Sequence, residues 1–467
     1  MDVRKIKLRN FPLLPFLQTI WKSRTDLQEQ FIYPDCYEAG NEDFLEWFLN
    51  NAPNEYHFNE SSLIELRQEF NREKLKKRNE MLKEKGNKIQ NDIKKLLKYS
   101  RYEKGVNLFA FIRGDFGVGE GGRRTASSLD TTGIDFNILD LYRDYIAHKN
   151  TNRTWESKIL ENPVYDINIF HCNPLELMDK GISQEILEDR YNIGYWVWEL
   201  PTFPDIWVPY FRLFDEIWTP STFSAESIAG KAFCPVIRVP HSIEVQLNET
   251  IKREHFGLPE DKFLFLFMYD SFSWMERKNP QAVIEAFKRA FKNNENVGLV
   301  VKVSNSKHGN DDIKKLEELR KTYKNIYIID KVLPKEEVNS LLNCCDVFVS
   351  LHRSEGFGLG LAEAMYLGKP VIGTGWSGNT DFMRNNNSCL VEYDFVPVEV
   401  NYANINCDGQ YWADADVDDA AKYMYKLYSD KDFYNEIAAN GQKTILEEFS
   451  AEAVGKIMKE RIDQIRK

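Results

Sequence analysis

From Val106 onward the chain alternates short apolar, β-rich runs with segments of helical length. VNLFAFI (106–112), IDFNILDL (134–141), YDINIFHC (165–172), NIGYWVW (192–198), EIWT (216–219) and PVIRV (235–239) read as strands. Near-continuous apolar strands, each followed by a helix, predict a parallel sheet covered on both faces. The texture restarts after KREHFGLPEDK (252–262). FLFLFMY (263–269), VGLVVKV (297–303), NIYIID (325–330), DVFVS (346–350), PVIG (370–373) and CLVEY (389–393) follow. Two doubly wound α/β domains in tandem are expected, with boundaries near 105–250 and 251–446. Ligands bind such sheets beyond the carboxyl ends of the strands, so a cleft between facing domains is the expected site.

Residues 1–104 are patterned differently. Trp21, Trp47 and Phe48 fall in short helical patterns, and the segment then enters a basic run. Arg72 to Lys98 contains eleven Lys/Arg against four Asp/Glu, a local +7. Leu75, Leu82, Ile89, Ile93, Leu96 and Leu97 give it a narrow apolar stripe, a helical pattern that Gly86 interrupts. Such a helix fits a solvated domain surface. It also fits peripheral contact with anionic lipid headgroups, where each cation contributes about 1 kcal/mol.

Composition narrows the function classes. A chain of 467 residues with 43% hydrophobic content suits two cored domains plus a mainly helical N-terminal appendage. Its net charge of −11 argues against nucleic acid as a partner, because phosphate contacts need a basic surface. The seven cysteines fall in no CxxC or Cys/His ligand spacing and read as reduced thiols. No apolar run approaches membrane-spanning length, and the N-terminus, broken by Pro12 and Pro15, lacks a cleavage signature. A cytoplasmic protein, at most peripheral at a membrane, is expected. The sequence does not address oligomeric state.

The chemistry concentrates in EGFGLGLAEAM (355–365), placed between the strand DVFVS and a helix stopped by Gly368 and Lys369–Pro370. Glycines at 356, 358 and 360 allow close backbone approach, and the helix start favours an anion such as a phosphate. Glu355 precedes the turn and Glu363 lies about one turn into the helix. Carboxylates are poor phosphate ligands but good acceptors for vicinal hydroxyls. Two of them around an anion site suggest a ligand with a hydroxylated ring at each end, the layout of a sugar–diphosphate–ribose. Taken alone, the glycines fit a packing junction as well.

Glu355-x7-Glu363 followed by GKPVIGTGWSGNTDFM (368–383) resembles the retaining nucleotide-sugar glycosyltransferases of family 4, which have the GT-B fold of two facing Rossmann-like domains. DFGVGEGGRRTASSL (115–129) resembles their glycine-rich loop and first helix, and NIFHCNP (168–174) the strand ending in the active-site histidine. ERKNPQAVIEAF (276–287) resembles the diphosphate-binding segment. The aromatic stretch 194–228 and PVIRVPHSI (235–243) are similar to a bacterial surface-polysaccharide subgroup. The resemblance covers roughly residues 105–450 and leaves 1–100 largely outside it.

The resemblance implies a role for each matching residue. Glu363 binds the ribose hydroxyls; Glu355 and the amides of Gly356, Phe357, Gly358 and Leu359 meet the donor sugar and phosphates. Arg277 and Lys278 clamp the diphosphate and stabilise the leaving nucleotide, with no metal or cofactor required. The family's usual arginine position is Ser273 here, which leaves open which side chain meets which phosphate. His171 contacts a donor hydroxyl or the acceptor, or is simply a hydrogen-bonded core histidine. Gly117, Gly119, Gly121 and Gly122 form a loop bordering the donor phosphates and the acceptor, where Arg123, a candidate acceptor contact, and Arg124 add positive charge or pair with surface acids. Gly378 and Asn379 place amides near the donor, and Glu199 contacts the acceptor or merely packs. The implied partners are a nucleotide-sugar and a glycan or lipid-linked acceptor. A non-transferring GT-B enzyme or a silent assembly partner are the alternatives. DADVDD (414–419) is read as a helix cap rather than a metal motif. The C-terminal helix, 447–467, is expected to return to the N-terminal domain, and the two domains to close.

Overall fold

The computed structural model describes residues 7–8, 11–30, 44, 47–49, 51, 102–142, 153–178, 183–271, 273, 275–292, 294–306, 318, 323–399, 405 and 407–467. The chain forms two compact units, Met1–Lys98 and Tyr99–Lys467. In the first, antiparallel strands Lys7–Leu8 and Phe11–Pro12 lead into helices Leu13–Ser23 and Thr25–Gln30. Leu17, Ile20 and Leu27 are buried, and Phe44 stacks on Trp47. The basic run 72–98, and with it the expected lipid contact, lies outside the described residues.

The second unit holds two six-stranded parallel sheets, the fold class expected from the strand pattern. One sheet contains β1 (Glu103–Ala110), β2 (Phe136–Asp140), β3 (Tyr165–His171), β4 (Tyr191–Tyr195), β5 (Glu216–Thr219) and β6 (Val236–Arg238). Their order is β2-β1-β3-β4-β5-β6. The other contains β7 (Phe263–Asp270), β8 (Val297–Ser304), β9 (Ile326–Asp330), β10 (Val347–Ser350), β11 (Val371–Thr374) and β12 (Cys389–Val391), in the order β9-β8-β7-β10-β11-β12. Both faces of the second sheet are buried, which explains its unbroken apolar runs. Val297, Leu299, Val301 and Val303 of β8 enter one core cluster and Val300 the opposite one.

One strand boundary differs from the sequence pattern. CLVEY breaks at exposed Glu392. β12 ends at Val391, and β13 (Tyr393–Pro397) pairs antiparallel with β14 (Tyr411–Ala415) outside the parallel sheet.

The helices named below are α1 (Gly117–Asp130), α2 (Thr222–Ala229), α3 (Pro280–Phe291), α4 (Lys335–Cys344), α5 (Leu359–Tyr366), α6 (Val417–Ser429), α7 (Lys431–Glu448) and α8 (Ala451–Ile465). Asp416 caps α6, its Oδ1 accepting from the amides of Asp418 at 2.8 Å and Asp419 at 3.0 Å. Asp414 is used differently, pairing with Arg353 at 2.8 Å.

α8 starts at Ser450, whose hydroxyl accepts from the Ala453 amide at 3.2 Å. Val454, Met458 and Ile462 recur every four residues and bury against Val106, Ile138 and Leu129 of the first sheet's core. Each such burial contributes about 2 kcal/mol. Arg461 grips fully buried Glu216 of β5 through both carboxylate oxygens, and Arg466 reaches Asp166 at 2.9 Å. The last helix of the chain thus completes the N-terminal domain.

Candidate active site

In the second sheet the strand order reverses between β7 and β10, the place where connections leave in opposite directions and open a crevice. A short helical turn, Met275–Lys278, follows β7, and the 351–358 turn follows β10. Arg277, Lys278 and Glu355 therefore meet. Lys278 Nζ lies 2.5 Å from Glu355 Oε1, and Arg277 Nη1 lies 3.4 Å from Glu355 Oε2. Arg277 also donates to the Ser354 carbonyl at 2.7 Å and is almost fully enclosed. Burial alone pushes the Glu355 carboxyl up, but Lys278 and Arg277 outweigh it and hold it at about 2. His352, fully buried at the start of the turn, is pulled down to about 4 by burial.

The turn ends at Gly358, whose φ of 98° demands glycine, and α5 begins there without any side-chain cap. One turn on, Glu363 is buried and faces two cations from different elements. Lys335 of α4 lies at 2.5 Å and Arg124 of α1 at 3.4 Å from its Oε1. Arg124 also contacts Glu120 at 2.6 Å and Arg123 contacts Glu120 at 2.8 Å, so both arginines are paired inside the protein rather than with surface acids. Those arginines and Lys335 offset the cost of burying Glu120 and hold its carboxyl well below the usual range. Phe357 and Leu359 direct their side chains into the core, which leaves only their amides for a ligand.

Gly117, Gly119, Gly121 and Gly122 do not form a loop. They are the opening turns of α1. Packing demands glycine at these helical positions: a Cβ on Gly119 would lie 2.4 Å from the Gly114 carbonyl, and one on Gly122 would lie 2.7 Å from Ala110 Cβ. A Cβ on Gly121 would lie 2.5 Å from His171 Nε2. Tertiary contact overrides glycine's poor helix propensity here. His171, at the end of β3, is fully buried, stacks on Tyr195 at 4.1 Å and shares a 2.9 Å hydrogen bond with Thr125 Oγ1. Burial and nearby His241 keep it neutral. His241 itself sits at about 3, chiefly through burial, and its Nδ1 is 3.2 Å from the Tyr195 hydroxyl.

The two domains of this unit touch across the crevice. Ser221 donates to the Gly356 carbonyl at 2.5 Å, and Arg238 pairs with Asp381 at 3.0 Å. Gln410 bonds Thr202 in both directions, at 3.0 and 3.1 Å. Ser354 Oγ donates to the Glu199 carbonyl. The Glu199 carboxylate lies 3.1 Å from Arg277, which joins an N-terminal residue to the cation pair. Gly378 lies beneath the turn, where a Cβ would be 2.3 Å from the Gly356 carbonyl. Asn379 uses its amide to hold the Thr374 carbonyl at 2.9 Å. Ser273 donates its amide to Asp270 at 2.9 Å in the turn after β7.

The result is two adjacent charge clusters, Arg277–Lys278–Glu355–Glu199 and Arg124–Lys335–Glu363–Glu120, on either side of an uncapped helix start. A guanidinium and an ammonium held this way can stabilise charge developing on a leaving anion. Sequence reasoning did not single out Lys335 or His241. Lys335 looks like an ordinary helix-start lysine, and His241 carries no spacing signal beyond its place after a strand.

Residues 248–444 match the family described as glycosyl transferases group 1. No curated protein sequence matches the chain. Among solved structures, the chain is similar to a glycosyltransferase from Rickettsia africae ESF-5 at a TM-score of 0.57 and 15% identity, over 78% of this chain and 100% of that one. It is similar to HepE of Anabaena in complex with UDP and glucose at 0.56 and 12%, again over 78% and 100%. It spans 54% of TarM from S. aureus, with 63% of this chain covered at 15% identity and a TM-score of 0.46. The fold is GT-B.

Proposed function

We propose that this GT-B protein is a metal-independent retaining glycosyltransferase. It moves a hexose-type sugar from a nucleotide-sugar to a glycan or lipid-linked glycan during cell-surface polysaccharide or glycoconjugate synthesis, at the cytoplasmic side. The observation that carries this reading is the cation pair Arg277–Lys278 against Glu355, one turn from buried Glu363. In the proposed complex Glu363 holds the ribose, while Arg277, Lys278 and the amides of residues 356–359 hold the diphosphate. Glu355 holds the donor sugar. His171, Gly117, Gly119, Gly378 and Asn379 shape the rest of the donor pocket, and Glu199 and Arg123 meet the acceptor. Glu355, the carboxylate this reading puts at the donor sugar, is tied to Lys278 and Arg277, and the reading takes departure and attack on one face of the sugar. The anomeric carbon–oxygen bond breaks, the acceptor oxygen forms the new one, and the acceptor's proton passes to the departing phosphate.

The test is a melting screen with UDP-, GDP- and dTDP-sugars, since a ligand that binds only the folded state raises its apparent stability. One donor class is expected to raise the melting point of the wild type and to lose that effect, with turnover, in Glu363→Ala. Unchanged affinity and turnover in that variant would overturn the site assignment.

A further inference from the structure

The cation pair is already neutralised before any ligand arrives. Arg277 and Lys278 supply two positive charges, and Glu355 and Glu199 supply two negative ones. A nucleotide-sugar's diphosphate brings two further negative charges. With all four groups in place this cluster offers it no net charge attraction and two like charges at contact distance. Withdrawal of one carboxylate would leave the cluster net positive.

The two carboxylates are not equivalent. Glu355 belongs to the same domain as the cations, pairs with both, and has only 14% of its side chain exposed. Its amide is also fixed, donating to Ser377 Oγ at 2.8 Å. Glu199 comes from the facing domain, contacts Arg277 alone at 3.1 Å among the described residues, and is 31% exposed. Its main chain is anchored, because Ser354 donates to its carbonyl and Thr202, three residues on, is tied to Gln410. Rotation of the Glu199 side chain alone removes its contact with Arg277, which keeps Glu355 and the Ser354 carbonyl, and leaves the loop in place.

We infer that Glu199 is an exchangeable stand-in for the donor diphosphate: it occupies Arg277 in the empty enzyme and is displaced when the nucleotide-sugar binds. This inference rests on the nucleotide-sugar reading above. Displacement leaves a carboxylate of the acceptor-side domain unpaired beside the donor, able to accept a hydrogen bond from an acceptor hydroxyl. Donor and acceptor are then coupled through one side chain, and binding is ordered with the donor first.

The experiment titrates UDP, GDP and dTDP into the full-length wild type, Glu199→Gln and Glu199→Ala by calorimetry. A residue that contacts the donor, or that merely holds Arg277 in position, weakens binding when altered. A competitor does the reverse. Both variants are expected to bind the nucleotide roughly two- to fivefold more tightly, the range for removing a partly exposed ion pair that competes. In an Arg277→Gln background the Glu199 substitution is expected to change nothing, because the coupling runs through that guanidinium. Wild-type protein that binds none of the three nucleotides would overturn the donor reading and this inference with it. Wild-type binding that is unchanged or weakened in both Glu199 variants would overturn the inference alone.

Discussion

Alanine at two glycines of α1 should act with opposite sign. In a helix interior, Gly→Ala stabilises by about 0.5–1 kcal/mol, because alanine loses less backbone entropy on folding. Gly117, the first residue of α1, faces open space with no atom within 4 Å of its would-be Cβ, so Gly117→Ala meets no clash and should realise part of that gain. Gly121 is four residues further on, and its Cβ would sit 2.5 Å from His171 Nε2 and 2.9 Å from His241 Cε1. Normal contact is about 3.5–4 Å, so roughly 1 Å of overlap has to be relieved.

His171 has little room to retreat. Its ring lies 4.1 Å from Tyr195, and its Nδ1 is bonded to Thr125 at 2.9 Å. Overpacking of this kind costs about 1–3 kcal/mol, which exceeds the propensity gain. The two variants should therefore differ by about 2 kcal/mol, or roughly 4–8 °C in melting temperature for a domain of this size. Thermal melts followed by circular dichroism measure this directly. A Gly121→Ala protein melting at or above wild type would refute the argument that packing against His171, rather than backbone freedom, is what demands glycine there.

Two further predictions concern charge. Arg461→Met should destabilise by about 3–5 kcal/mol, because fully buried Glu216 loses its counter-ion, and pairing it with Glu216→Gln should recover most of the loss in urea denaturation. Acid should weaken the protein well before carboxylates titrate: His352 at about 4 and His241 at about 3 lie below the ordinary 6.5, so between pH 6.5 and those values only the unfolded chain takes up the protons. Their contribution is present above pH 6.5 and is lost as pH falls, at up to about 1.4 kcal/mol per pH unit for each histidine. Glu355, at about 2 against 4.5, extends the decline below pH 4.5. His352→Gln should flatten the slope of denaturation midpoint against pH between about 4 and 6.5 by one proton, and an unaltered slope would count against the buried neutral imidazole.

Both sheets were legible in the sequence because a parallel strand covered on two faces has few polar positions to break its run. β7 and β8 read as FLFLFMYD and VGLVVKVS for that reason. The hairpin β13–β14 was not separable from β12, since the break rests on the single exposed residue Glu392. α1 was misread at its start for a similar reason. Four glycines in six residues signal a loop by local propensity, whereas in the fold they open a helix in which the facing atoms of Gly114, Ala110 and His171 leave no room for a Cβ at three of them.

The site divides along the same line. Glu355 and Gly358 could be found because they lie in a glycine-rich turn after a strand, and Arg277 because its segment resembles a known diphosphate-binding one. Their meeting could not be read, because Lys278 and Glu355 are 77 residues apart and become neighbours only through the order in which β7 and β10 pair. Lys335 and Arg124 approach Glu363 from two other elements, one of them in the facing domain, with no local pattern to announce it. A charged side chain is marked in sequence by its type alone, and type is common on any surface. What distinguishes these residues is burial against a specific opposite charge, a property of the assembled crevice. The residues that local pattern left ambiguous, Glu199 above all, are for that reason the ones whose substitution says most about how the two domains work together.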